Sequence, residues 1–259
     1  MEFKMRTWNM NYWKERRGSS PKTPEQKNGW INVSKELILN DGYFDLIALQ
    51  ESSLDMLKDE IMTSKYIDDN IMNADYDNKH FVYHTNPKKY PDWGLMIISK
   101  DSNGVCYRYN NELAFICYDY LFEDKKITVV NVHLQQDYRT KLYYPSLKLL
   151  ITEIQEILNE KNDHPVLLTG DFNASDKFNS GELGNFREAF SEIKKIGFFD
   201  CTENISLEHR STMLDYTYQN DYVFINNAFK DNHFEINIRK DIETEYIDHY
   251  PIDFKIVLK

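Results

Sequence analysis

The sequence predicts an α/β protein built as a four-layer α/β/β/α sandwich, two packed and mostly antiparallel sheets flanked by helices. Two observations lead there. Short strand-like runs recur along the whole chain, and fewer helix-period patterns lie between them. The strand-like runs are Phe3 to Trp8, Phe44 to Leu49, Gly94 to Ser99, Ala114 to Phe122, Ile127 to Val132, Val166 to Thr169, Asp221 to Ile225, Phe234 to Arg239 and Ile252 to Leu258. Helical spacing joins Trp30, Val33, Leu37 and Ile38. It recurs in Leu147, Leu150, Ile151, Ile154 and Leu158, and again in Phe186, Phe190, Ile193 and Ile196. Segments 14–28 (Lys/Arg/Ser/Pro-rich), 63–79 (Asp/Asn-rich) and 203–220 read as surface loops.

Hydrophobic residues make up 41% of the chain and aromatics 14%, enough apolar surface to offset the entropy of ordering it, so disorder is excluded as the default. No Pro/Gly/Ser-rich stretch or long run of one charge divides it, and residues 1–259 read as a single domain. No apolar window reaches the ~18 residues of a membrane span, so membrane insertion is not expected. The opening Met-Glu-Phe-Lys-Met-Arg-Thr-Trp-Asn lacks the apolar core of a signal peptide. The expected location is cytoplasmic, or secreted if a signal has already been removed. Cys106, Cys117 and Cys201 show neither CxxC nor zinc spacing and read as reduced core thiols.

The net charge of −11 is awkward for gripping polyanions. Such a chain gathers its cations locally, borrows charge from metal ions or acts on a small substrate.

The polar residues that close the strands carry the chemistry. Gly170-Asp171-Phe172-Asn173 follows an apolar run; the glycine permits a sharp turn, and an Asp and an Asn two residues apart project toward one side. The same residues also favour an ordinary strand-to-loop turn. Asp248-His249 joins a carboxylate to an imidazole whose proton affinity it raises, or is a loop with a solvated acid and a packing histidine. Alternation places Asn131 and His133 on one face of their strand, opposite Val132. Gln50-Glu51 and Trp8-Asn9 close strands in the same way, although Glu51 also suits the start of a helix and Asn9 an edge turn.

Taken in order, Asn9, Glu51, His133, Asp171 with Asn173, Asp221, and Asp248 with His249 resemble the endonuclease/exonuclease/phosphatase superfamily, with the DNase I-like fold. The resemblance runs from Trp8 to Pro251. It implies that Glu51 is the principal ligand of Mg2+ or Mn2+ and that Asn9 and Asp248 help to hold the ion or its waters. It further implies that Asp171 and Asn173 orient the attacking water and the phosphate oxygens. His133 and His249 would contact the scissile phosphate, and Asp221 would orient one of those histidines. Hard oxygen donors suit such an ion, and imidazolium and metal both stabilise charge on a phosphoryl group under attack.

Asn131-Val132-His133-Leu134 carries His where exonuclease III-like AP endonucleases usually carry Tyr. The resemblance is therefore to the histidine-containing branch. Asn220 before Asp221 and Ile247 before Asp248 replace that family's usual Arg and Ser, which leaves the subfamily open.

The expected activity is metal-dependent hydrolysis of phosphoesters, by a nuclease or nucleotide phosphodiesterase. The alternatives are a phosphatase or phosphodiesterase of inositol or lipid head groups and a non-catalytic binding module. The expected partner is nucleic acid or a phosphorylated small molecule. Asn131, the basic loop residues Lys14, Arg16 and Arg17, and Trp93 near Lys88 and Lys89 are the candidate substrate contacts.

Overall fold

Side-chain alternation sets the faces of the strands, and the strands assemble into two sheets. The computed structural model describes residues 1–10, 23–40, 44–52, 63–68, 71–76, 79–85, 94–110, 113–134, 143–161, 164–174, 186–214, 219–242 and 247–259. In chain order the first elements are β1 (Glu2–Asn9), α1 (Pro24–Lys35) and β2 (Leu46–Ser52), then β3 (Thr63–Asp68), β4 (Ile71–Tyr76), β5 (Lys79–Thr85), β6 (Gly94–Ser99) and β7 (Gly104–Asn110). There follow β8 (Phe115–Phe122), β9 (Lys125–His133), α2 (Tyr143–Lys161), β10 (Val166–Asp171), α3 (Phe186–Lys195), β11 (Phe198–Asp200), β12 (Asp221–Asn226), β13 (His233–Ile238) and β14 (Ile252–Val257). A turn of π-helix, Glu36–Asn40, extends α1.

The first sheet runs β13-β14-β1-β2-β6-β5-β4-β3 and the second β11-β12-β10-β9-β8-β7. Pairing is antiparallel except for β1 with β2 and β9 with β10. Three apolar layers follow from this stacking. Between the sheets, Phe3, Met5, Leu46, Ala48, Ile97, Phe254 and Ile256 meet Tyr118, Tyr120, Ile127, Val129, Leu167, Val223 and Ile225. Leu147, Leu150, Ile154 and Ile157 of α2 and Phe190 and Ile193 of α3 cover the second sheet's outer residues Phe115, Cys117, Val130, Leu168 and Phe224. On the other side, Leu37 and Ile38 cover Trp8, Ile47, Leu49, Met96 and Ile98. Burying each such aliphatic or aromatic side chain contributes roughly 1.5–3 kcal/mol. The four layers are those that the strand and helix patterns predict.

One outer position on β1 is polar and fully enclosed. Arg6 donates from Nε and Nη2 to both Asp253 carboxylate oxygens, at 2.6 and 2.8 Å, and from Nη1 to the Leu37 carbonyl at 2.7 Å. A buried guanidinium is tolerated because its planar fork finds an acceptor on each side.

The structure corrects three of the expectations. Residues 63–68 and 71–76, within segment 63–79, form the antiparallel pair β3–β4 at the end of the first sheet, where a loop is expected from their Asp and Asn content. β7 and β11, edge strands of the second sheet, had no signal in the sequence. Of segment 14–28, residues 24–28 open α1 and residues 14–22 lie outside the described residues. Segment 203–220 is irregular where described, with short 3-10 turns at Cys201–Asn204 and Leu207–His209.

Candidate active site

On the inner faces the period-two alternation runs beyond the apolar core into polar residues at one end of the sandwich. Phe3 and Met5 are followed on β1 by Thr7 and Asn9, and Leu46 and Ala48 on β2 by Gln50. Ile127 and Val129 on β9 lead to Asn131 and His133. Leu167 on β10 leads to Thr169 and Asp171, and Ile225 and Val223 on the reversed β12 lead to Asp221. Strand register sets these ends level: Asn9 pairs with Gln50, and Asp171 pairs with His133 on one side and Asp221 on the other. Five strands from distant parts of the chain thus converge on one polar mouth.

Asp171 lies at its centre, 1% exposed, and accepts hydrogen bonds from Asn9 Nδ2 at 2.7 Å, the Asn173 backbone N–H at 2.6 Å and Asn173 Nδ2 at 3.2 Å. The first of these crosses from one sheet to the other. Asn173, in the left-handed region at φ 47°, also donates from Nδ2 to the Leu134 carbonyl at 2.8 Å. Gly170 makes the close approach possible. Its φ is +130°, and a Cβ there would lie 2.0 Å from the Val132 carbonyl oxygen, so no side chain fits between β9 and β10.

His249 enters from the segment before β14 and places Nδ1 2.8 Å from Asp221 Oδ2. Its backbone is fixed from two sides: Trp8 Nε1 donates to its carbonyl at 2.9 Å, and an isolated bridge joins it to Met213. Thr212 supports the other partner, its Oγ1 accepting from the backbone N–H groups of Asn220 and Asp221 at 3.0 and 3.2 Å. Thr212 lies in the irregular segment, and nothing in the sequence marks it out. Ligating atoms of Asp171, Asp221 and His249 all lie within 4.8 Å of one another.

Glu51 reaches the same mouth by an irregularity. The β2–β6 register runs Leu46–Ser99 to Leu49–Met96 and resumes at Ser52–Gly94, so β2 bulges at Gln50 and Glu51. Glu51 adopts a left-handed conformation, φ 46°, which a side chain enters at a cost of roughly 1–2 kcal/mol. The bulge re-aims its carboxylate, and Oε1 stands 3.4 Å from His133 Nε2, which is itself 3.7 Å from Asp171 Oδ2.

Charge is unevenly shared among these groups. Burial and the neighbouring Asp221 push the Asp171 carboxyl well above its ordinary range. Burial works against the His249 imidazolium, but Asp221, aided by Asp171 and Asp248, outweighs it and pushes the imidazole up to about 10. His133 moves the other way, because burial dominates and holds it neutral.

The structure brings together Asn9, Glu51, His133, Asp171, Asn173, Asp221 and His249, with Asp248 beside His249. Asn131 is placed differently from the expectation of a substrate contact: it is fully buried between the sheets, and its amide is bonded to Gln50, Leu49 and Met96. Lys14, Arg16, Arg17 and Trp93 lie outside the described residues. Among the described residues no helix is long and apolar enough to cross a membrane.

The sequence profile of the Endonuclease/Exonuclease/phosphatase family matches residues 7–239. No curated protein matches the sequence. Among solved structures, the chain is similar to a humanized TDP2 of D. rerio, at 15% identity over 99% of both chains with a TM-score of 0.62. It is also similar to the Haemophilus ducreyi cytolethal distending toxin, at 16% identity over 97% of both chains and a TM-score of 0.61. A third similar structure is the endonuclease domain of TRAS1, a telomere-specific non-LTR retrotransposon, at 11% identity, 100% and 99% coverage and a TM-score of 0.63. At these identities the likeness is one of fold.

Proposed function

Because the chain belongs to the endonuclease/exonuclease/phosphatase family, we propose that it hydrolyses phosphoester bonds with a divalent cation, Mg2+ or Mn2+, and that its substrate is a nucleic acid or a nucleotide. The observation that supports this best is the hydrogen-bonded Asp221–His249 pair with Asp171 clustered against it at the polar mouth, and Glu51 and His133 beside them. The similar structures include an endonuclease domain, which favours a nucleic-acid substrate over a lipid or inositol head group.

In this reading His249, kept protonated by Asp221, donates to a phosphate oxygen and stabilises the charge that grows there during in-line attack. Asp171, with its raised proton affinity and three hydrogen bonds fixing its orientation, aligns the attacking water and accepts its proton. Asn173 and Asn9 hold that carboxylate. Neutral His133 contacts the phosphate and keeps Glu51 in place.

The donor set fits a hard cation. Glu51 and Asp248 offer carboxylate oxygens and Asn9 an amide oxygen, and Glu51 is the partly exposed acid that the bulge turns to the mouth. These three residues would hold the ion. When bound, it would supply Lewis-acid charge to a phosphoryl oxygen. The Asp171–Asp221–His249 set is a poorer cation site, because the imidazolium already supplies a positive charge between the two carboxylates.

The test is a panel of single- and double-stranded DNA, RNA, nucleotides and inositol phosphates with Mg2+ or Mn2+, comparing wild type with Asp171→Ala. Turnover of a nucleic acid or nucleotide that the variant lacks supports the proposal. Turnover confined to inositol phosphates moves the assignment to head groups, and no turnover of any member overturns it.

A further inference from the structure

At the mouth the two sheets are joined by amides, where most of their interface is apolar. Asn131 belongs to β9, yet its Nδ2 donates across the gap to the backbone carbonyls of Leu49 at 2.9 Å and Met96 at 3.2 Å. Leu49 and Met96 are the last regular pair of the β2–β6 ladder before the bulge. A bulge interrupts ladder bonding, and the Asn131 amide donates to the two carbonyls that stand immediately before the interruption. Gln50 closes the link from the other side: its Nε2 lies 2.6 Å from Asn131 Oδ1, 3.1 Å from Thr7 Oγ1 and 3.2 Å from the Ala48 carbonyl. Both amides are 0% exposed.

We infer that Gln50 and Asn131 act as one positioning unit, which holds the bulged end of β2 against β9 so that Glu51 faces His133. Glu51 follows Gln50 directly, and His133 lies two residues beyond Asn131 on the same face, so the link sits immediately behind the 3.4 Å approach of two groups carried by different sheets. Two amides in an apolar gap cost desolvation, and a pair of leucines would fill the space without it. The bonds that the amides make are directed at the bulge, the one feature of β2 that aims Glu51. The chemical roles of Glu51 and His133 rest on the function proposed above; the positioning rests on the geometry.

The test uses Asn131→Leu, Gln50→Leu, the double variant, and Thr128→Ala as a control. Thr128 is on β9 but faces away from the mouth, where its Oγ1 donates to Asp119 at 2.6 Å, so its loss weakens the fold without touching the link. Crystal structures of wild type and Asn131→Leu should show Glu51 leaving its left-handed conformation and drawing away from His133. Mn2+ affinity, followed by electron paramagnetic resonance, should weaken about 10- to 100-fold in each single variant, the usual effect of losing a residue that orients a ligand. The double variant should be no worse than either single one, because the two amides act together. Thr128→Ala should lower the melting temperature and leave Mn2+ affinity unchanged. If Asn131→Leu does not fold, Gln50→Leu, which retains the bonds to both carbonyls, takes its place. An unmoved Glu51, or Mn2+ affinity equal to that of the control, overturns the inference. If wild type neither binds Mn2+ nor turns over any substrate, the proposed function fails, and the crystal structures still decide whether the pair positions Glu51.

Discussion

Asp221 Oδ2 and His249 Nδ1 are 2.8 Å apart, a bond that ties the first residue of β12 to the segment entering β14. It fixes the tautomer and orientation of a buried imidazole and favours its charged form. Asp221→Asn should therefore lose at least about a hundredfold in kcat, as should His249→Ala, within the usual range for groups that stabilise developing charge. Circular dichroism and melting, measured beside the kinetics, should show both variants folded. Wild-type turnover in either one would remove the pair from the chemistry.

Chelation should abolish turnover, and Mg2+ or Mn2+ should restore it. Glu51→Gln keeps the shape of the side chain but offers a hard cation an amide in place of a carboxylate, so the metal concentration giving half-maximal rate should rise about tenfold or more. Full turnover in excess chelator would sink the metal assignment. An unchanged metal requirement in Glu51→Gln would move the principal ligand elsewhere.

Gly170→Ala tests the close approach of β9 and β10. Its Cβ would lie 2.0 Å from the Val132 carbonyl oxygen, at a φ of +130° that alanine disfavours, so the strands must part just before Asp171. A loss of about 2–4 kcal/mol in unfolding free energy is expected, a size typical of backbone incompatibility and overpacking combined. Denaturant titration measures it, and a loss below about 0.5 kcal/mol would mean that the strands yield freely.

Far from the mouth, Asp119 gives the fold an acid-sensitive tie. It is buried, which alone would raise its pKa, but hydrogen bonds from Lys161, Thr128 and Lys126 hold the carboxyl below its ordinary value. A carboxyl depressed by folding stabilises the native state fully above its unfolded pKa, near about 4, and that contribution is lost as pH falls through the folded value. Asp119→Asn should cost about 2–3 kcal/mol at neutral pH, since it leaves the Lys161 ammonium without its carboxylate at the end of α2. Its stability should also fall less steeply than wild type as pH drops from about 5 to about 2. Parallel acid profiles for the two proteins would refute the coupling.

What the sequence made legible follows from where the physics is local. The alternation in Phe3, Met5, Thr7 and Asn9 shows directly which side chains share a face, and the polar residues closing such runs mark the mouth. The irregular parts were hidden. β3 and β4 carry Asp and Asn because hydrogen bonding to neighbouring strands, and not composition, makes them strands. The bulge that re-aims Glu51 is one extra residue in a ladder and leaves no mark on composition. Asn131 shares a face with His133, as alternation requires, yet it lies deeper than a substrate contact because the first sheet closes over it. That closure is a tertiary fact.

The inner faces carry floor and mouth on a single alternation, which gives each strand a reading frame. Deleting one residue inside β1 would shift every later side chain to the opposite face, sending Asn9 outward toward α1 and turning the Trp8 indole toward Asp171. A frame error there would erase core and site in one event, whereas a length change between strands leaves both in phase. Indels that preserve activity should therefore fall in the connections between strands.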